Sequence, residues 1–509
     1  MSRTSKFFYS TITTALLQIM ILFSGLIIPY TIIHIYGSEV NGLLSSITQL
    51  IQYATLVEAG LSAAMIYALY KPLAAKDNNS INRILVAAKK TYEKSGYWFL
   101  FFITIIALGY PLFISVDNLQ NYEIFFLVLI IGLSGVLEFF TLAKYRAILT
   151  ADQKTYVISL ISIIHVLLNT IIIVILSYAG FSIILVRSIA LVSVILRTVL
   201  LRLYVNKKYN FLDYSVVPDY ESIDRRKYAI YMQILTVIHS GSPILIAALF
   251  LTLNDVSIYT IYYLVIQGLI TILSIFTTGI SAGFGEIIAI GDKLKLKKAF
   301  EKFEIIYFSS ITLVYYIAYC MYIPFIRIYT SNTDINYVNV SLAIFMAING
   351  FIYSLKTPYS MLLIASGKYK ESRIQNTVQG LLVILFGIPL SLLYGLIGIV
   401  IAMIISNLYR LIDFIFFTPK HLTHYSFKKS IIMIFAFCIL FLLLVVISNL
   451  IYDFQITSIL NWIVVSIIIG LTGLSIIVLF NYIFFNKLAK ETTSHLIYVI
   501  KNNFVRNNK

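Results

Sequence analysis

A sparse set of polar side chains interrupts otherwise apolar stretches of this chain: Gln18, Gln49, Gln52, Glu58, Glu138, His165, Asn169, Arg187, His239, Gln267, Asn349, Lys356 and Gln379. Placing a charge in hydrocarbon costs ~2.5 kcal/mol or more, so each is expected to face a bundle interior or a wet cavity. The acids Glu58 and Glu138 can take up and release protons, as can His239. Arg187 and Lys356, with Arg146 just beyond the apolar stretch of Glu138, can offset an anion. Gln18, Gln52 and Gln267 can donate and accept hydrogen bonds.

Each also has a structural reading. Glu58 can simply pair with a neighbouring helix, and Arg187 can snorkel to a headgroup layer. Lys144 and Arg146 can do the same on the other side, and for Lys144 that reading is preferred. His165 reads as a hydrogen-bonded core residue. His239 directly precedes Ser240-Gly241-Ser242-Pro243, which is expected to break or kink its helix and free carbonyls for a ligand.

Enzyme chemistry finds no support. Gly367-Lys368 is the only Gly-Lys pair and lacks the upstream glycine and the Ser/Thr of a phosphate loop. No His-Glu-x-x-His run or Cys/His cluster suggests a metal, and no cofactor motif is present. Cys320 and Cys438 both lie in apolar stretches, which argues against a disulfide framework.

The elements that must hold these groups are membrane spans. The chain has 509 residues, 60% hydrophobic and 12% charged, with mean hydropathy +0.91. Fourteen apolar stretches of about 20 residues or more are expected to cross a bilayer: 8–35, 42–70, 97–116, 122–143, 156–178, 181–204, 229–253, 256–289, 305–329, 338–365, 374–394, 395–417, 430–451 and 457–485. The run after Arg3 and Lys6 reads as the first span; it is long and lacks a small-residue cleavage site. Loops on one side carry the basic residues, among them Lys71, Arg83, Lys89, Lys90, Lys144, Arg202, Lys293, Lys295, Lys428 and the tail from Lys487. The opposite loops hold Glu39, Asp117, Glu123, Asp255, Asp334 and Asp453, with Arg327 the one base nearby. The positive-inside rule then puts both termini in the cytoplasm. The net charge of +16 reports this topology and gives no support to nucleic-acid binding.

The chain contains a duplication. Glu58-Ala59-Gly60-Leu61-Ser62-Ala63-Ala64 resembles Thr277-Thr278-Gly279-Ile280-Ser281-Ala282-Gly283. The run from Tyr145 to Lys154 matches that from Tyr359 to Lys368. Gly180 corresponds to Gly395, and Arg197 to Arg410. Spans 1–6 therefore repeat as spans 7–12 in the same orientation, the arrangement of transporters whose substrate path runs between two lobes. The expected organisation is all-α: lobes at 1–205 and 229–418, a linker at 206–228, and two extra helices with a tail at 419–509. Residues 71–94 and 291–304 read as basic amphipathic helices at equivalent places after spans 2 and 8. Loops on the acidic side are too short to house a catalytic domain.

Fourteen spans, a six-plus-six repeat, two further spans and tiny outer loops resemble the polysaccharide branch of the multidrug/oligosaccharidyl-lipid/polysaccharide exporter superfamily. The segment from Tyr36 to Ala74, YGSEVNGLLSSITQLIQYATLVEAGLSAAMIYALYKPLA, is similar to Wzx-type flippases. That resemblance implies a two-lobed cavity in the bacterial cytoplasmic membrane. It also implies an undecaprenyl-diphosphate-linked oligosaccharide moved from inner to outer leaflet, with a polysaccharide polymerase and chain-length proteins as partners. By this reading Arg146, Arg187, Gln18, Gln52, Gln267 and Lys356 are substrate contacts, and Glu58, Glu138 and His239 couple an ion. The related lipid II flippases use arginines in span 1 near the cavity; here span 1 has Gln18 and no Arg, which argues against a peptidoglycan precursor as the substrate. The acidic span-1 site of MATE-type exporters is absent as well. The alternative is a cation-coupled exporter of drugs or metabolites with the same fold.

Overall fold

In a computed structural model the described residues are 3–58, 61–117, 119–223, 227–367, 371–418, 427–451 and 456–491. They are helical, and the only bridge among them outside helices joins Val116 and Leu119. Helix is the form an open chain takes in lipid, because every backbone group between its ends is satisfied within the segment. Eleven of the helices are long and apolar enough to cross a membrane. The protein is an all-α, multi-pass membrane protein.

The chain divides into two compact units, one of Met1–Leu264 with Asn332–Ile335, the other of Val265–Ser331 with Asn336–Lys509. The first contains α1 (Arg3–Ile35), α2 (Ser38–Ala54), α3 (Leu61–Ala75), α4 (Asn78–Phe113), α5 (Asn121–Leu137), α6 (Ala143–Ala151), α7 (Thr155–Tyr178), α8 (Ile183–Lys208) and α9 (Lys227–Phe250). It also takes the first part of α10 (Leu253–Ile290). Two expected spans of this unit are not single α-helices. The stretch 42–70 is α2 followed by a 3-10 turn at Thr55–Glu58 and then α3. The stretch 122–143 runs through α5 into a π turn at Glu138–Leu142 that continues as α6.

α4 departs from expectation. Residues 78–94 do not form a separate surface helix; they are the first turns of a 36-residue helix that continues through the third span. Its buried positions, Ile81, Ile84, Leu85, Ala88, Tyr92, Phe99 and Ile103, follow one stripe at helical spacing, and no glycine or proline interrupts it before Gly96. Asp77 caps it, accepting from the Ser80 amide at 3.1 Å and the Ser80 hydroxyl at 2.6 Å. Those donors hold the Asp77 carboxyl below the usual carboxylate range. The segment after α8 packs on these turns. Asn82 donates to the Phe211 carbonyl at 2.9 Å, and the Asp219 amide to that of Arg83 at 3.2 Å.

The second unit holds the rest of α10, then α11 (Lys293–Tyr329), α12 (Val340–Leu355), α13 (Thr357–Ser366), α14 (Arg373–Thr418), α15 (Phe427–Ile451) and α16 (Ile459–Phe484). α11 absorbs the second basic stretch just as α4 absorbs the first. α14 is two spans in tight sequence, separated by Gly395 at φ 59° and ψ −137°. That left-handed backbone favours glycine. A Cβ at Gly398 would run into the Leu390 carbonyl, so the return after the bend also depends on a missing side chain.

The backbone repeats the duplication in order. Gln153 (φ 56°) ends the short helix α6 where Gly367 (φ 69°) ends α13. Gly180 and Gly395 make the next turns. Asp77 caps α4 as Asp292 caps α11, where it accepts from the Lys295 amide at 2.9 Å.

Candidate functional site

The first unit concentrates charge where α5 gives way to α6. The π turn starts at Glu138, and its carboxylate accepts from Arg146 on α6 while lying 3.6 Å from the guanidinium of Arg197 on α8. The side chains are 31% (Glu138), 49% (Arg146) and 17% (Arg197) exposed, so the pair is most open at Arg146. One carboxylate faces two guanidiniums, an excess of one positive charge. The Arg197 Nε is buried without a hydrogen-bond partner. His165 on α7 bonds the Ser193 backbone and faces both Arg197 and Glu138.

Of the expected residues, the fold therefore joins Glu138 and Arg146. It adds Arg197, noticed in the sequence only as a repeat match, and His165, read there as structural. Arg197 lies eleven residues before the basic end of α8 at Lys208, and that depth inside an apolar helix was the available signal.

The other expected residues stand apart. Arg187 lies ten residues before Arg197 on α8, about 15 Å along the axis. It faces the Tyr36 phenol, which itself donates to the Phe181 carbonyl at 2.7 Å, and its Nε has no hydrogen-bond partner. Gln18 is half-buried on α1, and Gln52 is exposed near the end of α2. Glu58 closes the 3-10 turn, but its side chain lies outside the described residues. His239 is half-buried on α9.

α9 does not break at Pro243. The helix runs from Lys227 to Phe250 with the proline inside it, and the Ser242 hydroxyl bonds the Ile238 carbonyl at 2.6 Å. Gly241 serves close packing: a Cβ there would collide with Gln49 and Tyr53 of the adjoining α2 region. The Tyr53 hydroxyl lies 3.2 Å from that of Ser242.

In the second unit Lys356 sits in the break between α12 and α13, buried at 8% exposure. Its ammonium donates to Asn407 Oδ1 at 2.8 Å and lies 4.3 Å from the centre of the Tyr353 ring. Asn407 in turn accepts from Gln379 at 3.2 Å and donates to Asn349 at 2.9 Å. Among the described residues Lys356 has no carboxylate partner. Arg410 is spent on Asp413 and Ser372 and stacks 3.9 Å over Phe414. Gln267 is exposed on α10, away from this network. Aligned through the repeat, Lys356 falls on the π turn that holds Glu138. Both copies thus break the helix at the same place and set a charge there, of opposite sign.

A half-exposed arginine whose partner is a protonatable carboxylate can exchange that partner for an incoming anion. The carboxylate then keeps the second guanidinium as its partner. Among the described residues no group of His, Cys, Asp and Glu could hold a metal ion.

No protein-family model matches the sequence, and no curated protein matches it. Solved structures do share its fold. An inward-facing multidrug resistance MATE family transporter of the MOP superfamily is similar with TM-score 0.68 at 13% identity, covering 82% of this chain and 99% of its own. The lipid II flippase MurJ, in an inward closed conformation, is similar with TM-score 0.64 at 17% identity, covering 94% and 99%. MATE in a bent conformation gives 0.59 at 14% identity, covering 84% and 97%. The chain has the fold of MOP transporters.

Proposed function

We propose that this protein is a flippase that carries an undecaprenyl-diphosphate-linked oligosaccharide across the bacterial cytoplasmic membrane. The movement runs from the inner to the outer leaflet by alternating access, for surface polysaccharide assembly, with both termini in the cytoplasm. The observation that carries this reading is the Glu138–Arg146–Arg197 cluster, whose surplus positive charge and half-exposed arginine suit a diphosphate. A headgroup with several sugars cannot cross hydrocarbon alone, and a cation along its path offsets the phosphates.

The likeness to the lipid II flippase extends over 94% of this chain against 82% for the first drug transporter. The difference is about 60 residues, close to the combined length of α15 and α16, which have 25 and 26 residues. Those helices lie outside the repeat, and their exposed apolar faces suit a prenyl tail. Arg187, Lys356, Gln18, Gln52 and Gln267 remain proposed substrate contacts. Glu58, Glu138 and His239 are proposed to couple transport to an ion gradient or to membrane potential. A polysaccharide polymerase and chain-length proteins are the proposed partners. The second reading, a cation-coupled drug or metabolite exporter, draws on the higher TM-score of the MATE transporter.

Deletion tests the choice. The lipid-linked repeat unit should accumulate on the inner leaflet while its synthesis continues, and surface polysaccharide should vanish. Normal surface polysaccharide with altered drug sensitivity would establish the exporter reading instead.

A further inference from the structure

A second cationic cluster lies in the first unit, separate from Glu138. The ammonium groups of Lys89 on α4 and Lys144 on α6 each stand 5.4 Å from the centre of the Tyr214 ring, and Lys144 is 5.1 Å from that of Tyr145. The hydroxyls of Tyr145 and Tyr214 bond one another, and Arg202 on α8 faces both tyrosines and Lys144. Among the described residues the acid that faces this group is Glu93, 3.8 Å from Lys89. Three cations thus meet one carboxylate. Burial first, then Lys89 and Arg202, push the Lys144 ammonium down from its ordinary value, with Glu93 opposing. Such a grouping is unfavourable unless an anion fills it.

The duplication shows what the same place looks like when it is closed. Twelve residues after the capping aspartate stand Lys89 in the first copy and Glu304 in the second, and Tyr145 corresponds to Tyr359. In the second unit Tyr359 donates to Glu304 at 2.7 Å, Ser430 of α15 closes over the carboxyl at 3.5 Å, and Glu304 is 0% exposed. In the first unit Lys89 is 36% exposed and Arg202 is open to the outside. One copy is a sealed acid, the other an open cationic cup.

The cup lies at the level where spans leave the hydrocarbon. Lys144 follows the apolar helix Asn121–Phe140, and Arg202 stands in the last two turns of α8, beside Val199 and Leu203 at 44% and 61% exposure. Lys144 and Arg146 are two residues apart, about 200° around the helix, so this site and the Glu138 cluster use different faces. We propose that Lys89, Lys144, Arg202, Tyr145 and Tyr214 bind the phosphate of an anionic membrane lipid, with the headgroup in the cup and the acyl chains along α8.

The full-length protein in nanodiscs of phosphatidylcholine, with or without phosphatidylglycerol, tests this. Phosphatidylglycerol should raise Tm by roughly 3 °C in the native protein. The same rise is expected in the control Lys298→Gln, which removes an exposed base of α11. Lys144→Gln and Arg202→Gln should lose that rise. In phosphatidylcholine alone Lys144→Gln should melt no lower than the native protein, because it relieves repulsion. An undiminished rise in Lys144→Gln overturns the proposal, as does a lower Tm of that variant in both lipids, which would mark a structural lysine. Inorganic pyrophosphate added to phosphatidylcholine discs should give no shift. A shift with pyrophosphate but none with phosphatidylglycerol would overturn the assignment to lipid in favour of a soluble phosphate.

Discussion

Glu138 is held by two guanidiniums from different helices, and that sharing sets what its removal does. In Glu138→Gln, Arg146 and Arg197 face each other without a counter-charge in a partly dehydrated place. A loss of about 2 kcal/mol is expected, read as a lower Tm. Removing Arg197 as well, in Glu138→Gln/Arg197→Gln, should recover part of that loss, since a neutral pair replaces a surplus cation; purely additive effects would show that the two do not interact. Transport tells the roles apart. Arg146→Ala should lose export at normal protein level, whereas Arg146→Lys should keep more of it because the charge survives. The chain displayed half of this cluster. Glu138 lies in the expected span 122–143 and Arg146 follows three residues beyond its end, and an intramembrane acid near a base attracts notice. Arg197 comes from another span, and pairing across the fold leaves no mark in local spacing.

At the scale of elements, apolar length and charge alternation locate the spans, because hydrocarbon thickness fixes the length and lipid admits few other forms. Breaks inside spans are harder. The π turn at Glu138–Leu142 carries no proline or glycine, and Lys356 ends α12 just before Thr357-Pro358. Which hydrogen bonds a helix gives up there depends on neighbours distant in sequence. α9 shows the reverse: Ser-Gly-Ser-Pro reads as a break or kink, yet the helix runs on through it, with Gly241 packed closely on the α2 region. Glycines at such contacts make a sharp test. A Cβ on Gly42 of α2 would strike the Leu253 carbonyl at the start of α10, and backbone cannot rotate aside as a side chain does. Gly42→Ala should therefore cost roughly 2–3 kcal/mol. Gly25→Ala on α1, where nothing lies within 4 Å of the new carbon, should be neutral or stabilising by up to about 1 kcal/mol through helix propensity. Thermal melts of the two variants check both, and equal melting would remove the steric argument for Gly42.

For the whole molecule, orientation and cargo follow from charge. Cysteines placed at Asp117 should react with an impermeant thiol reagent in intact cells, while those at Asn79 or Lys295 should not; labelling of all three would end the two-sided charge argument. The cargo has a consequence for growth that a drug exporter would not share. If this chain flips a glycan on a polyprenyl diphosphate, blocking it leaves each carrier lipid loaded on the inner leaflet. Carrier cannot recycle from there, because release of the diphosphate follows transfer of the glycan on the outer side. Other pathways that draw on the same carrier are starved, and growth should slow. The slowing should disappear when the transferase that adds the first sugar is also deleted, since no carrier is then committed. Growth of single and double deletions measures this directly. A defect that persists in the double deletion would place the fault outside the carrier cycle, and with it the proposed cargo.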